Sequence, residues 1–148
     1  MIVTAQSVHA NCVVVGDSGI LIRGPSGSGK STVSRRLVDL SRNLGYFSEI
    51  VGDDRIFLRS NGTRIVASGH PLIDGRFEIR GLGIARSNFE SRAVIRLLVD
   101  CEPVLVVRAP EVYETTGELF GIFLRRITVT PDTADHVLVA LGLRNIVI

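Results

Sequence analysis

The chain has 148 residues, of which 45% are hydrophobic and 22% charged, and these values predict a single folded domain over residues 1–148. A net charge of +2, with arginines scattered along the chain and no basic stripe, argues against nucleic-acid binding. There is no long apolar run and no signal peptide, so we expect no membrane segment and a cytoplasmic location. Cys12 and Cys101 lie in apolar runs, which is typical of buried free thiols in a reducing compartment.

Two strands joined by a tight turn are predicted near the start of the chain. Residues 10–15 and 20–23 have the composition of strands, and turn-forming residues separate them. A turn centred at residues 17–18 places His9 opposite Ser26. His9 is then a candidate proton-transfer group or phosphate contact, and a surface histidine at a strand start is the alternative.

The segment after these strands matches the phosphate-loop pattern G-x-x-x-x-G-K-[ST] in full. It consists of Gly24, Pro25, Ser26, Gly27, Ser28, Gly29, Lys30 and Ser31. Lys30 is the only lysine of the chain, although arginine occurs throughout, and a compact ammonium suits this position better than a planar guanidinium. A strand precedes the loop and a helix follows it, as the motif requires. The pattern therefore predicts nucleotide binding, with the hydroxyl of Ser31 on Mg²⁺.

Two consecutive aspartates follow the next helix and strand. Residues 31–44 have apolar side chains at helical spacing, and Gly45 is expected to end that helix. A short strand at residues 49–51 then runs into Asp53 and Asp54. Successive residues of an extended chain point to opposite sides, so we expect the two carboxylates to have different roles. One would be a general base and the other would contact metal or tie down the loop; a solvated acidic turn is the alternative.

The second half of the chain predicts further strands and two helices. The Asn61-Gly62 pair is a strong signal for a hairpin turn. Because hairpins require antiparallel pairs, the sequence predicts an α/β protein with a mixed sheet. The predicted strands cover residues 56–59, 63–67, 104–107 and 127–129, and the predicted helices cover about residues 86–98 and 133–142.

A polar cluster lies between these elements, in Glu78-Ile79-Arg80-Gly81-Leu82-Gly83. Its glycine spacing suggests a dinucleotide loop, but Arg86 occupies the third glycine position and no strand–helix–strand context surrounds it. We therefore reject that interpretation. From its residues alone, the segment fits either a mobile catalytic loop or a plain turn.

Three segments together resemble the catalytic domain of HPr kinase/phosphorylase. They are His9 with the following strands and phosphate loop, the segment Val51-Gly52-Asp53-Asp54-Arg55, and Glu78 through Ile84. Enzymes of this family phosphorylate a serine of the phosphocarrier protein HPr and so regulate the phosphotransferase system. The resemblance implies a phosphate-loop fold similar to that of phosphoenolpyruvate carboxykinase, ATP and Mg²⁺ as cofactors, HPr as partner, and assembly as a hexamer.

The resemblance also implies a role for each matching residue. In the nucleotide site, Lys30 would bind the transferring phosphate, while Ser31 and Glu78 would contact magnesium. In the transfer step, Asp54 would be the general base, with Asp53 as its neighbour or a metal partner. The remaining implied site residues are His9, as the active-site histidine, and Arg80, in the loop used in both reaction directions.

Two departures from the family pattern concern the reverse reaction and the loop arginine. Residues 128–133 lack the glycine and arginine that the family associates with dephosphorylation, so phosphorolysis is doubtful. An expected loop arginine is out of register, and Arg108 is a candidate replacement. A nucleotide-sensing module with little turnover is the alternative to a kinase.

Overall fold

The computed structural model of the chain describes residues 4–69, 76–79, 83–86, 92–103 and 115–143, with the backbone alone for residues 76–79 and 83–86. Its strands are β1 (Thr4–Val8), β2 (Asn11–Val15), β3 (Ser18–Arg23), β4 (Ser48–Gly52), β5 (Ile56–Ser60), β6 (Ile65–Ser68), β7 (Arg76–Ile79), β8 (Gly83–Arg86), β9 (Arg92–Cys101), β10 (Thr116–Leu119) and β11 (Ile122–Val129). Its helices are α1 (Lys30–Asn43) and α2 (His136–Ala140), and a 3-10 turn, Pro131–Thr133, precedes α2.

Nine of the described strands form one mixed sheet around β9. The order is β1-β5-β6-β9-β3-β2-β4, and β11, which carries β10, also pairs with β9. The first residues of β9 pair antiparallel with β6, whereas its later residues pair parallel with β3 and with β11. The described strands β7 and β8 pair with each other as a separate hairpin. The α/β class and mixed sheet predicted from the sequence are confirmed.

Alternate residues of β2 and β3 belong to two different apolar clusters, so both faces of these strands are buried. One cluster joins them to the helices, and the other joins them to β5 and β6. Strand β3 is therefore held rigidly on both faces, so the segment that follows it begins at a fixed position. The first cluster includes Val13, Ile20, Ile22, Val33, Leu37 and Leu138, and the second includes Cys12, Val14, Leu21, Leu58, Ala67 and Leu98.

Helix α1 agrees with the sequence prediction, and Gly45 lies just after it with φ +88°. That left-handed conformation is the usual end of a helix at glycine. None of the helices in the described part of the chain is long and apolar enough to cross a membrane.

The helix predicted over residues 86–98 is wrong, because residues 92–98 belong to strand β9. Ala93, Ile95 and Leu97 are buried at every second position, and that spacing is typical of a strand. Periodicity alone distinguishes short apolar strands and helices poorly. The helix predicted over residues 133–142 is reduced to α2 and its 3-10 turn, and the strand predicted at 104–107 lies outside the described residues.

The predicted register of the first hairpin is also wrong. Val15 pairs with Ser18, so the loop has only two residues, Gly16 and Asp17. Gly16 has φ +61°, as short hairpin turns prefer. Continuing this register does not bring His9 opposite Ser26, and β2 itself begins only at Asn11.

Candidate active site

The phosphate loop joins the end of β3 to the first turn of α1. The Ser28 N–H donates to the Pro25 carbonyl at 3.0 Å, which closes a turn within the loop. Gly27 and Gly29 have φ +81° and +101°, conformations that glycine adopts without a side-chain penalty. Gly29 caps α1, and no described side chain bonds to the cap. The first N–H groups of α1, at the positive end of its dipole, are therefore available to an anion.

Lys30 is buried within this loop, with 6% of its surface exposed. Its Nζ donates to the Gly24 carbonyl at 2.8 Å and to the Pro25 carbonyl at 3.3 Å. A buried ammonium needs such acceptors, because its removal from water is costly. The loop thus holds a positive charge next to the N–H groups of α1, and both features favour a phosphate.

Asp53, the first residue after β4, lies against the end of the phosphate loop. Ser31 Oγ donates to Asp53 Oδ1 at 2.8 Å. A hydroxyl and a carboxylate are the hard oxygen ligands that Mg²⁺ prefers, so this pair fits a magnesium site. Among the described residues, no group of three His, Cys, Asp or Glu side chains could hold a metal ion. The fit therefore rests on Ser31 and Asp53, with other ligands left to the nucleotide and water.

Asp54 has a different partner from Asp53. Its Oδ1 contacts His9 Nε2, and the side chains of His9 and Asp54 are 53% and 70% exposed. A pair this exposed contributes little to stability. Asp54 also has φ +67°, which is uncommon for a residue with a side chain and is often found at functional sites. The structure thus brings His9 to Asp54 and not to the position opposite Ser26.

Asn11 connects the two aspartates, although no motif of the sequence marks it as a functional residue. It is 1% exposed. Its Nδ2 donates to Asp53 Oδ1 at 2.5 Å, and its Oδ1 accepts the Asp54 N–H at 2.9 Å. The one signal in the sequence was an amide in an otherwise apolar strand between Ala10 and Cys12, since a buried polar group requires partners.

Cys101, at the end of β9, supports the phosphate loop through a hydrogen bond. Its Sγ donates to the Ser28 carbonyl at 3.1 Å. Burial raises the pKa of Cys101, so the thiol stays protonated and serves as a donor. A Cβ added at Gly24 would lie 2.7 Å from the Cys101 carbonyl oxygen. The loop is therefore packed closely against β9, which explains why glycine is needed at its first position.

The remaining site residues named from the sequence cannot be placed in this arrangement. Glu78 lies on β7, where its backbone pairs with Ile84, and only the backbone is described there. Arg80 and Arg108 lie outside the described residues. Their roles stay predictions.

The strand, glycine-rich loop and helix, with carboxylates at the end of a nearby strand, have the arrangement typical of phosphate-loop proteins. The model of the HPr Serine kinase C-terminal domain family matches residues 1–96. The chain belongs to this family.

Curated relatives named HPr kinase/phosphorylase agree with the family match. The protein from Chlorobium limicola is 34% identical over 128 residues, which cover 84% of this chain and 36% of the relative. The protein from Mycoplasma mycoides subsp. mycoides SC is 38% identical over 76 residues, covering 51% of this chain and 22% of the relative. The chain thus spans well under half of the length of these relatives.

A solved structure confirms the fold. The structure of the Hpr(Ser) kinase/phosphatase from Coxiella burnetii matches with a TM-score of 0.61 and 24% identity, covering 93% of this chain and 97% of that chain.

Proposed function

We propose that the chain is an ATP- and Mg²⁺-dependent kinase that phosphorylates a serine of HPr. The observation that carries the proposal is that a phosphate loop and two carboxylates with separate partners lie in one site. Ser31 contacts Asp53, and His9 contacts Asp54. Membership in the HPr kinase family supports HPr as the acceptor.

The loop would bind and position the phosphates of ATP. Phosphoryl transfer depends mainly on positioning and on neutralisation of charge. Lys30 and the N-terminus of α1 supply positive charge at the loop. Ser31 and Asp53 would hold Mg²⁺, with Glu78 proposed as a further contact. Bound Mg²⁺ would neutralise negative charge on the phosphates.

Asp54 would accept the proton of the attacking serine hydroxyl. Its side chain is 70% exposed, so a residue of another protein can reach it. The imidazole of His9 contacts this carboxylate and would favour one orientation of it for proton transfer. A site this open suits a macromolecular acceptor better than a small metabolite that must be enclosed.

We propose that phosphorolysis is weak and that the kinase direction dominates. Residues 128–133 lack the glycine and arginine of the family pattern. In the structure, the segment forms a 3-10 turn beginning at Pro131, which leaves Thr130 as its cap. A cytoplasmic homohexamer, with Arg80 and Arg108 completing the loops around the site, is proposed from the resemblance alone.

In the experiment that tests this proposal, the protein is incubated with Mg²⁺, labelled ATP and HPr from the same organism. Phosphate on HPr is detected by mass spectrometry of the intact protein. Lys30→Ala is expected to abolish transfer, since the loop loses its cation. Arg35→Ala, which removes an exposed cation of α1, is the matched control and should transfer normally. Transfer by Lys30→Ala at the wild-type rate would refute the proposal. ATP binding without transfer to HPr would favour the nucleotide-sensing module instead.

A further inference from the structure

We infer that Asn11 is a positioning residue that sets the geometry of both Asp53 and Asp54, an inference that rests on the proposed kinase function. It makes direct hydrogen bonds to the carboxylate of one aspartate and the backbone of the other. Asn11 would therefore couple the metal side of the site to the proton-accepting side without touching the substrate.

The orientation of the Asn11 amide is fixed by its partners. The backbone N–H of Asp54 can only donate, so the atom that it meets must be the Asn11 carbonyl oxygen. The amide nitrogen then faces the acceptors Asp53 Oδ1 and Ser34 Oγ, the latter at 3.1 Å. A flipped amide would place two donors together on one side and an oxygen against a carboxylate on the other. The network therefore permits one orientation.

On the metal side, Asn11 fixes one oxygen of Asp53. Oδ1 accepts from both Asn11 Nδ2 and Ser31 Oγ. Hydrogen bonds to an ionised carboxylate are stronger than those between neutral groups, so two of them restrict rotation of the side chain. Residues that orient metal ligands in this way commonly affect metal affinity although they do not touch the metal.

On the proton-accepting side, Asn11 holds the backbone that aims Asp54. A left-handed conformation such as the φ of +67° at Asp54 persists only where the surroundings enforce it. The hydrogen bond from the Asp54 N–H to Asn11 Oδ1, at 2.9 Å, is such a restraint. Its loss would allow the backbone to relax and would turn the carboxylate away from His9.

Asn11 itself is held rigidly. It lies at the start of β2, pairs with Ile22 of β3, and is 1% exposed. Its contact Ser34 donates to the Lys30 carbonyl at 2.9 Å, which ties the amide to the first turn of α1. A site residue supported by a central strand and a helix keeps its geometry better than one on a loop.

Two substitutions separate the two arms of the network. Asn11→Ala removes both hydrogen-bonding atoms. Asn11→Asp keeps the size and the acceptor for the Asp54 N–H, but it replaces the neutral N–H donor with a second buried carboxyl against Asp53, so the two carboxyls either repel each other or share one proton. Ser48→Ala is the control, because Ser48 is also buried, with 2% of its surface exposed. It lies on β4, and its Oγ donates to the carbonyl of Val14 on β2, the strand that carries Asn11. It makes no described contact with either aspartate.

The first measurement uses the free protein. Amide hydrogen exchange by NMR should be faster at Asp54 in Asn11→Ala, and close to wild type in Asn11→Asp and Ser48→Ala. The second measurement is ATP binding with Mg²⁺ and with EDTA. Asn11→Ala and Asn11→Asp should lose about 10- to 100-fold in the enhancement that Mg²⁺ gives to ATP binding, while binding in EDTA stays unchanged.

The third measurement is steady-state transfer to HPr. The kcat of Asn11→Ala should fall by about 10- to 100-fold with little change in the KM for HPr, since Asn11 does not reach the surface. Ser48→Ala should keep its kcat. A purely structural role predicts instead that kcat, ATP binding in EDTA and thermal midpoint decline together in all three variants.

Three outcomes overturn the inference. They are unchanged Asp54 exchange in Asn11→Ala, recovery of wild-type kcat in Asn11→Asp, and equal losses in Asn11→Ala and Ser48→Ala. Failure of the wild-type protein to phosphorylate HPr refutes the proposed function, and the exchange and ATP-binding measurements still decide the role of Asn11. A wild-type protein whose ATP binding does not respond to Mg²⁺ would refute both.

Discussion

Replacement of Gly29 by alanine tests how the phosphate loop is supported, and Gly27 provides a matched comparison. Both glycines have positive φ, +101° and +81°. A Cβ at Gly29 would lie 2.5 Å from Pro131 Cγ, whereas a Cβ at Gly27 would meet no described atom within 4 Å. The left-handed backbone costs an alanine about 1–2 kcal/mol at either position. Overpacking against Pro131 adds about 1–3 kcal/mol at Gly29 alone.

We therefore expect the free energy of unfolding to fall by about 2–5 kcal/mol in Gly29→Ala and by about 1–2 kcal/mol in Gly27→Ala. Urea denaturation of the nucleotide-free protein measures both values. Pro131→Ala removes the ring, so the double variant Gly29→Ala/Pro131→Ala should recover the packing part, a coupling of about 1–3 kcal/mol. Equal losses for the two glycines, or a coupling near zero, would refute the contact between the loop and Pro131.

Two further predictions concern Cys12 and Asp54. Burial raises the pKa of Cys12 from 9.0 to about 12. The unfolded thiol loses its proton above pH 9 and the folded thiol keeps it, so the unfolded state binds fewer protons in this window and stability falls as pH rises. Compared with Cys12→Ala, the wild-type free energy of unfolding should fall by about 1.4 kcal/mol per pH unit between pH 9 and 12. If the difference in free energy of unfolding between the two proteins does not change with pH, the prediction is wrong. Asp54→Asn should lower kcat for HPr by about 10²- to 10⁴-fold and leave ATP binding unchanged, because an amide cannot accept the serine proton. An unchanged kcat would exclude Asp54 as the base.

The parts of the fold predicted correctly are those that local sequence determines. The phosphate loop requires glycine at positions with unusual backbone angles, so its pattern identifies both the loop and α1. The order of strands around β9 could not be predicted, because it depends on pairing between residues far apart in the chain. The same limit explains the helix predicted at residues 86–98, since a short apolar run becomes a strand when neighbouring strands are present to pair with it.

The candidate site shows a similar division. Lys30, Ser31, Asp53 and Asp54 were named from their residue types and from the motifs around them. Asn11 belongs to no motif, and only the folded chain brings it to Asp53, 42 positions away. The predicted turn of the first hairpin, at residues 17–18, differs by one residue from the observed turn at residues 16–17. This difference in register is enough to predict the wrong neighbour for His9.

The pairing of β3 with β9 has a consequence for synthesis on the ribosome. Arg23, directly before the loop, bonds to Asp100 of β9, 77 positions later in the chain. Pro131, which lies against Gly29 of the loop, comes later still in the chain. Both supports of the phosphate loop therefore emerge from the exit tunnel long after the loop itself. The nascent chain should therefore gain the capacity to bind nucleotide only after α2 has been synthesised and the segment that carries Pro131 has left the tunnel, so a shorter nascent chain should bind nucleotide weakly.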